Sequence, residues 1–127
     1  MRNYKDLKVW AKAHQLTLQV YLSTKKFPKD EIYGLTSQIR RSCISIEANL
    51  AEGCGRGSDG EMARFVHIAM GSASELDCHL LLARDLEILS PRNYEQFENL
   101  LSETRRMLSA LLQAIQGKQK SSSAVAG

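Results

Sequence analysis

The apolar residues of this chain recur at alternating steps of three and four, interrupted by short clusters of glycine, proline and serine. Between Leu7 and Lys25 one row reads Leu7, Ala11, His14, Leu18 and Tyr21, the spacing of a single helix face. A second row, Ala13, Leu16 and Val20, widens the apolar stripe, with Trp10 beside it. Phe27-Pro28 ends this first helix, because proline disfavours helical geometry in the residue before it. A second helix is predicted from Asp30 or Thr36 to Glu52, its start blurred by Gly34, with Leu35, Ile39, Cys43, Ile46 and Leu50 inward. Gly53-Cys54-Gly55-Arg56-Gly57 stops it, glycine being common just past a helix C-terminus.

Ser58-Asp59-Gly60-Glu61 reads as a capping box, in which the serine hydroxyl accepts from the amide three residues on and the glutamate reaches back. The third helix then runs to about Leu89, with Met62, Phe65, Ala69, Ser72, Leu76, His79 or Leu80, and Ala83 inward. Its middle, Ala69 to Ser74, is rich in small residues, which admits another helix backbone at close range. Ser90 caps a fourth helix that opens on Pro91 and carries Tyr94, Phe97, Leu101, Leu108, Leu112 and Ile115. It is expected to stop at Gly117, leaving Lys118 to Gly127 as a disordered tail. Four helices with short connections predict an all-α, antiparallel up-down four-helix bundle over residues 1–117.

Composition agrees with that pattern. At 127 residues the chain fits one domain with its own core, and 6% aromatic content suits a bundle better than a sheet. Cys43, Cys54 and Cys78 are odd in number and scattered, which fits neither a disulfide framework nor a zinc site. The first six residues lack the apolar core of a signal peptide, and no apolar run approaches the ~20 residues that span a bilayer. A cytoplasmic protein with free thiols, and no membrane, is the expectation.

Sites for chemistry are missing from the pattern. Di-iron bundles use Glu-x-x-His pairs, yet Ala11, Arg64 and Leu76 stand three residues before His14, His67 and His79. The Gly53–Gly57 cluster follows a helix and lacks a Lys-Ser/Thr, so it reads as a helix stop rather than a phosphate loop, although the third helix N-terminus can attract an anion. Gly71-Ser72-Ala73-Ser74-Glu75 lacks the strained elbow of a nucleophilic serine. The expectation is no enzyme, no metal, no cofactor and no small-molecule substrate.

Binding is better represented. Residues 1–29 hold seven Lys/Arg against one acid, while the rest holds ten against thirteen acids. Lys5, Lys8 and Lys12 share one helix face, and Lys25, Lys26 and Lys29 lie at its far end, so helix one offers a basic surface for nucleic acid or a plain solvated one. No aromatic-interleaved basic surface accompanies them in the sequence, so binding by shape and charge is expected, with Arg40, Arg41 and Arg56 as further phosphate contacts. On helix two, Gln38, Ser42, Ser45, Asn49 and Glu52 form a polar row. That row is either solvated or a contact surface against helix three or a second subunit, and Glu47 or Glu52 offers a partner to Arg40 and Arg41.

Asp6-Leu7, Trp10, Tyr21, Phe27-Pro28, Glu31, Gly34-Leu35, Gln38-Ile39-Arg40-Arg41, Ser45-Ile46, Asn49-Leu50-Ala51-Glu52-Gly53, Arg56, Ala69, Gly71-Ser72 and Glu75-Leu76 together carry a family likeness. With them the chain resembles the bacterial four helix bundle proteins, also known as intervening-sequence proteins of large-subunit ribosomal RNA genes. Glu47 departs from the proline frequent there after Ser-Ile, which should leave helix two straighter. The resemblance implies a cytoplasmic bundle assembled as a homopentameric ring, and an architecture similar to the accessory proteins of diversity-generating retroelements. By that resemblance the partners expected are RNA, a ribonucleoprotein or a reverse transcriptase. A non-enzymatic oligomeric scaffold engaging RNA through helix one is the leading expectation, and a protein-binding adaptor with little nucleic-acid affinity is the alternative.

Overall fold

A computed structural model describes residues 2–126 of the protein, with side chains as far as Lys118. Four helices form, α1 Lys8–Thr24, α2 Leu35–Gly55, α3 Asp59–Asp85 and α4 Pro91–Ala126, with single 3-10 turns at Tyr4–Asp6 and Lys29–Glu31. No strand occurs among the described residues. Helix α1 packs on α2 and α4, and α3 packs on α2 and α4, so the four enclose one core. The three short connections make sequence neighbours antiparallel, as an up-down bundle requires.

The ends of the helices follow from local chemistry. Glu31 Oε2 accepts from the Leu35 amide at 2.9 Å and so caps α2 from the preceding turn. Helix α2 passes through Gly53 and ends where Gly57 takes φ +82°, a conformation that side chains beyond glycine rarely adopt. Ser58 Oγ accepts from the Glu61 amide at 3.2 Å, but the Glu61 carboxylate turns to Arg64 Nε at 2.7 Å, so only half of the capping box forms. Helix α3 stops at Asp85, short of Leu89. Glu87 sits at φ 63°, the Ile88 amide donates to Ala83 O, and the Glu87 amide donates to Arg84 O, the pair of bonds that closes a helix in a left-handed turn. Ser90 caps α4 as the sequence implies, its Oγ accepting from the Asn93 amide at 3.1 Å.

Two expectations need correction. Helix α4 does not stop at Gly117 but continues to Ala126. Glycine weakens a helix without breaking it, and Gly117 has no positive φ. The disordered tail expected at 118–127 falls largely on residues outside those whose side chains are described. On α1, the face turned to the core is Val9, Ala13, Leu16 and Val20, whereas Ala11 is exposed and Leu18 is 55% exposed. Both rows have helical spacing, and only the positions of α2 and α4 select between them.

The α2 row Leu35, Ile39, Cys43, Ile46 and Leu50 is buried throughout. It shares one core with Met62, Val66, Ala69, Ala73, Leu76, Leu80 and Ala83 of α3 and Phe97, Leu101, Leu108, Leu112 and Ile115 of α4. The three cysteines are free, with Cys78 exposed. Burial, and then the nearby Glu47 charge, push the Cys43 thiol up to about 12, so it stays protonated and inert.

Gly53 is a point of close approach between α2 and α3. A Cβ there would lie 2.9 Å from Met62 Sδ and 3.0 Å from Phe65 Cβ, whereas one at Gly71 meets nothing within 4 Å. Gly53→Val should therefore cost about 1–3 kcal/mol in urea unfolding by overpacking. Gly71→Ala, on an exposed stretch of helix, should add about 0.5–1 kcal/mol.

Between α3 and α4, burial raises the Glu98 carboxyl above the ordinary glutamate value of 4.5. A hydrogen bond to the Asp77 carboxyl and the Asp77 charge add to this, against Arg105 and Tyr94. A raised folded-state value means that Glu98 contributes stability below pH 4.5, and that this is lost as pH rises through the folded value. Glu98→Gln stays neutral, so its urea midpoint relative to wild type should climb between pH 4 and pH 8. A constant offset across that range would refute the raised folded-state value of Glu98.

Candidate nucleic-acid interface

The basic residues of the first segment do not form one patch. Helix α1 spans 17 residues, about 25 Å, with Lys5 and Lys8 near one end and Lys25, Lys26 and Lys29 beyond the other. Lys5, Lys8, Lys25, Lys26 and Lys29 are exposed and carry no ion pair among the described residues. Lys12 is half-buried instead, its Nζ 3.3 Å from Glu103 of α4, so the row Lys5, Lys8 and Lys12 is divided between solvent and the α1–α4 contact.

The three arginines are engaged within the subunit. Arg40 Nε donates to Thr24 Oγ1 at 2.9 Å, and its guanidinium lies 4.6 Å from the Tyr21 ring centroid. Arg41 pairs with Glu75 of α3 and donates to Gln38 Oε1 at 2.8 Å. Arg56 Nη2 is 2.9 Å from Glu52 Oε1, and its guanidinium lies 5.2 Å from the Phe65 ring centroid. The pairing of Arg40 or Arg41 with Glu47 or Glu52 does not occur. Glu47 Oε2 meets His14 Nδ1 at 2.8 Å across the α1–α2 contact, where the imidazole stacks on Trp10.

The middle of the α2 polar row forms a seam against α3. Ser45 and Ser72 hydroxyls are 2.7 Å apart, and Asn49 Nδ2 donates to Ser45 O at 2.7 Å and to Ser45 Oγ at 3.0 Å. Further along, Glu75 also approaches His79 Nε2 at 3.3 Å. Burial, and then the Arg41 charge, hold the His79 imidazole below its ordinary value, favouring the neutral ring. Ser42 is fully buried, its hydroxyl returned to the carbonyls of Gln38 and Ile39, which removes it from any intersubunit surface. Gln38 and Glu52 remain exposed at the edge of the seam.

One feature had no clear signal in the sequence. Tyr21, Ile32, Tyr33, Ser37, Arg40, Arg41, Ile44 and Ser45 line a groove of about 580 Å³ between α1 and α2. Tyr33 stands in it 94% exposed. Helix packing thus brings Tyr21 and Tyr33 to one groove with Arg40 and Arg41, while none of the lysines of α1 or its flanking turns is in its lining. Ile44 also borders a second hollow, of about 280 Å³, with Tyr4, Trp10, Glu47, Ala48 and Ala51. At the α3 N-terminus, considered from the sequence as an anion site, Asp59 pairs with Arg2 at 2.8 Å and Lys118 at 3.6 Å.

The seam makes a direct prediction. Ser45→Leu inserts bulk where the Ser72 hydroxyl lies and strands that hydroxyl and Asn49, so unfolding stability should fall by about 1–3 kcal/mol. An unchanged melting temperature would show that the α2–α3 contact does not depend on this network.

A search of curated proteins gives no match. Among solved structures, the fold is similar to that of a protein of unknown function from the S23 ribosomal protein family of Bacteroides thetaiotaomicron. The TM-score is 0.75 and the identity 24%, over 83% of this chain and 98% of that one, a likeness of fold. The family model described as 23S rRNA-intervening sequence protein matches residues 5–110, which include α1, α2 and α3 whole and α4 as far as residue 110. On that match, the chain belongs to the 23S rRNA-intervening sequence protein family.

Proposed function

We propose that this protein is a non-enzymatic, cytoplasmic oligomeric scaffold that engages RNA or a ribonucleoprotein through the lysines of α1 and its flanking turns. The carrying observation is the contrast between engaged and unengaged cations. Lys12, Arg41 and Arg56 face carboxylates, whereas Lys5, Lys8, Lys25, Lys26 and Lys29 have no such partner among the described residues. A cation without a protein partner meets a phosphate with no ion pair to break, and the release of counterions then favours binding.

Assembly is supported by apolar side chains that the bundle leaves outside. Leu22 is 63% exposed on α1, and Ile68, Leu82 and Leu86 are exposed on α3. Leu82 and Leu86 are one turn apart at the end of α3 and share a face, the kind of apolar surface that a protein contact buries. The subunit number in this proposal, five, comes from the family resemblance. The same α3 side chains favour the second reading, an adaptor for a protein such as a reverse transcriptase.

Gel mobility shift with a structured RNA separates the two readings. Wild type should shift the RNA at low salt, and Lys5→Glu with Lys8→Glu should weaken binding roughly tenfold or more. Lys12 is left intact because Glu103 holds it. An RNA ignored even at low salt would refute the scaffold reading in favour of the adaptor. Light scattering at micromolar concentration should report several subunits per particle, and a strict monomer would refute the assembly.

A further inference from the structure

We infer that the groove between the end of α1 and the start of α2 binds unpaired bases of single-stranded RNA, with Tyr33 as a stacking platform. The inference rests on the RNA reading above and adds a place, a strandedness and a mode of contact to it.

Three observations converge on this groove. Tyr33 is 94% exposed, a large ring left without packing in its own subunit, and Ile32 beside it is 49% exposed. Across the groove the Tyr21 ring lies under the Arg40 guanidinium, which Thr24 Oγ1 anchors, so a second flat and cationic surface is held in place. Residues 25–41 carry five cations against two carboxylates. Arg41 is already paired with Glu75, which leaves Lys25, Lys26, Lys29 and Arg40 against Asp30 and Glu31, and Glu31 is engaged in capping α2. The segment that flanks the groove is therefore net positive.

That combination matches the chemistry of a single strand. Its bases offer exposed π-faces to tyrosine and arginine planes, while its phosphates follow the lysines. A duplex hides those faces in its own stack and presents only charge and shape. A partner helix would seek a row of aliphatic anchors, whereas tyrosine, serine and arginine supply most of this lining. Ser37 supplies a hydroxyl at the groove for a base edge, since the Ser45 hydroxyl is already held by Ser72 and Asn49.

Fluorescence anisotropy on the full chain tests this, using a labelled single-stranded RNA of about ten nucleotides and a duplex of the same length. The single strand should bind more tightly than the duplex. Tyr33→Ala should weaken single-strand binding roughly tenfold, with Tyr33→Phe close to wild type because the ring is kept. Lys25→Gln with Lys29→Gln should lower the slope of log affinity against log salt by about 1.4. If the strand binds equally well to Tyr33→Ala but is lost by Lys5→Gln with Lys8→Gln, the groove assignment is wrong and the RNA reading stands. If no variant and no wild-type sample binds RNA, both are wrong. A change in particle mass on Tyr33→Ala, or Tyr33-dependent binding of an acidic amphipathic peptide in place of RNA, would make the groove a protein contact and overturn the proposal.

Discussion

The close approach of α2 and α3 determines most of what this molecule presents to its surroundings. At Gly53 the two backbones come so near that a single added carbon would meet Met62 and Phe65. Midway, the small side chains Ser45 and Ser72 bond directly, and at the other end Arg41 reaches Glu75. Glycine, serine pair and ion pair each set the same rotation of α2 about its axis. With that rotation, Ile39, Cys43, Ile46 and Leu50 enter the core, and Arg40 and Ile44 turn toward α1.

The groove on the α1–α2 side is a consequence of that rotation rather than an independent feature. Arg40 reaches back to Thr24 and covers Tyr21, and Tyr33 is left standing at the start of α2. The same contact decides which cations are occupied. Arg41 and Arg56 are drawn into pairs along the α2–α3 hairpin, while the lysines of α1 and of the turn after it face solvent. The unpaired lysines are in this way separated from the structural ion pairs.

Much of the fold was legible in the chain because period and punctuation agree. The α2 core row was readable because it is uninterrupted, and the start of α4 because Ser90-Pro91 can do little else. Other readings failed for identifiable reasons. Two apolar rows on α1 had equal claim to the core, and Leu18 lost to Leu16 only because neighbouring helices sit on the other side. Gly53 looked like a stop because glycine serves both as a terminator and as a point of close contact. Ser42 resembled its polar neighbours, yet it lies some sixty degrees around the helix from Ser45, enough to bury it.

The candidate site was legible as a list of cations and not as a surface. Sequence by itself determined that the protein is a helical bundle, where α3 and α4 begin, and that its early residues are rich in lysine, because these follow from local propensity and from which residues must leave water. Tertiary structure alone decided which of those charges are already neutralised, that Lys12 belongs to Glu103 and Arg41 to Glu75, and that Tyr21 and Tyr33 share a groove with Arg40. The physical reason is range. Helix formation and capping act between residues a few positions apart, whereas ion pairs and grooves depend on partners brought together by packing.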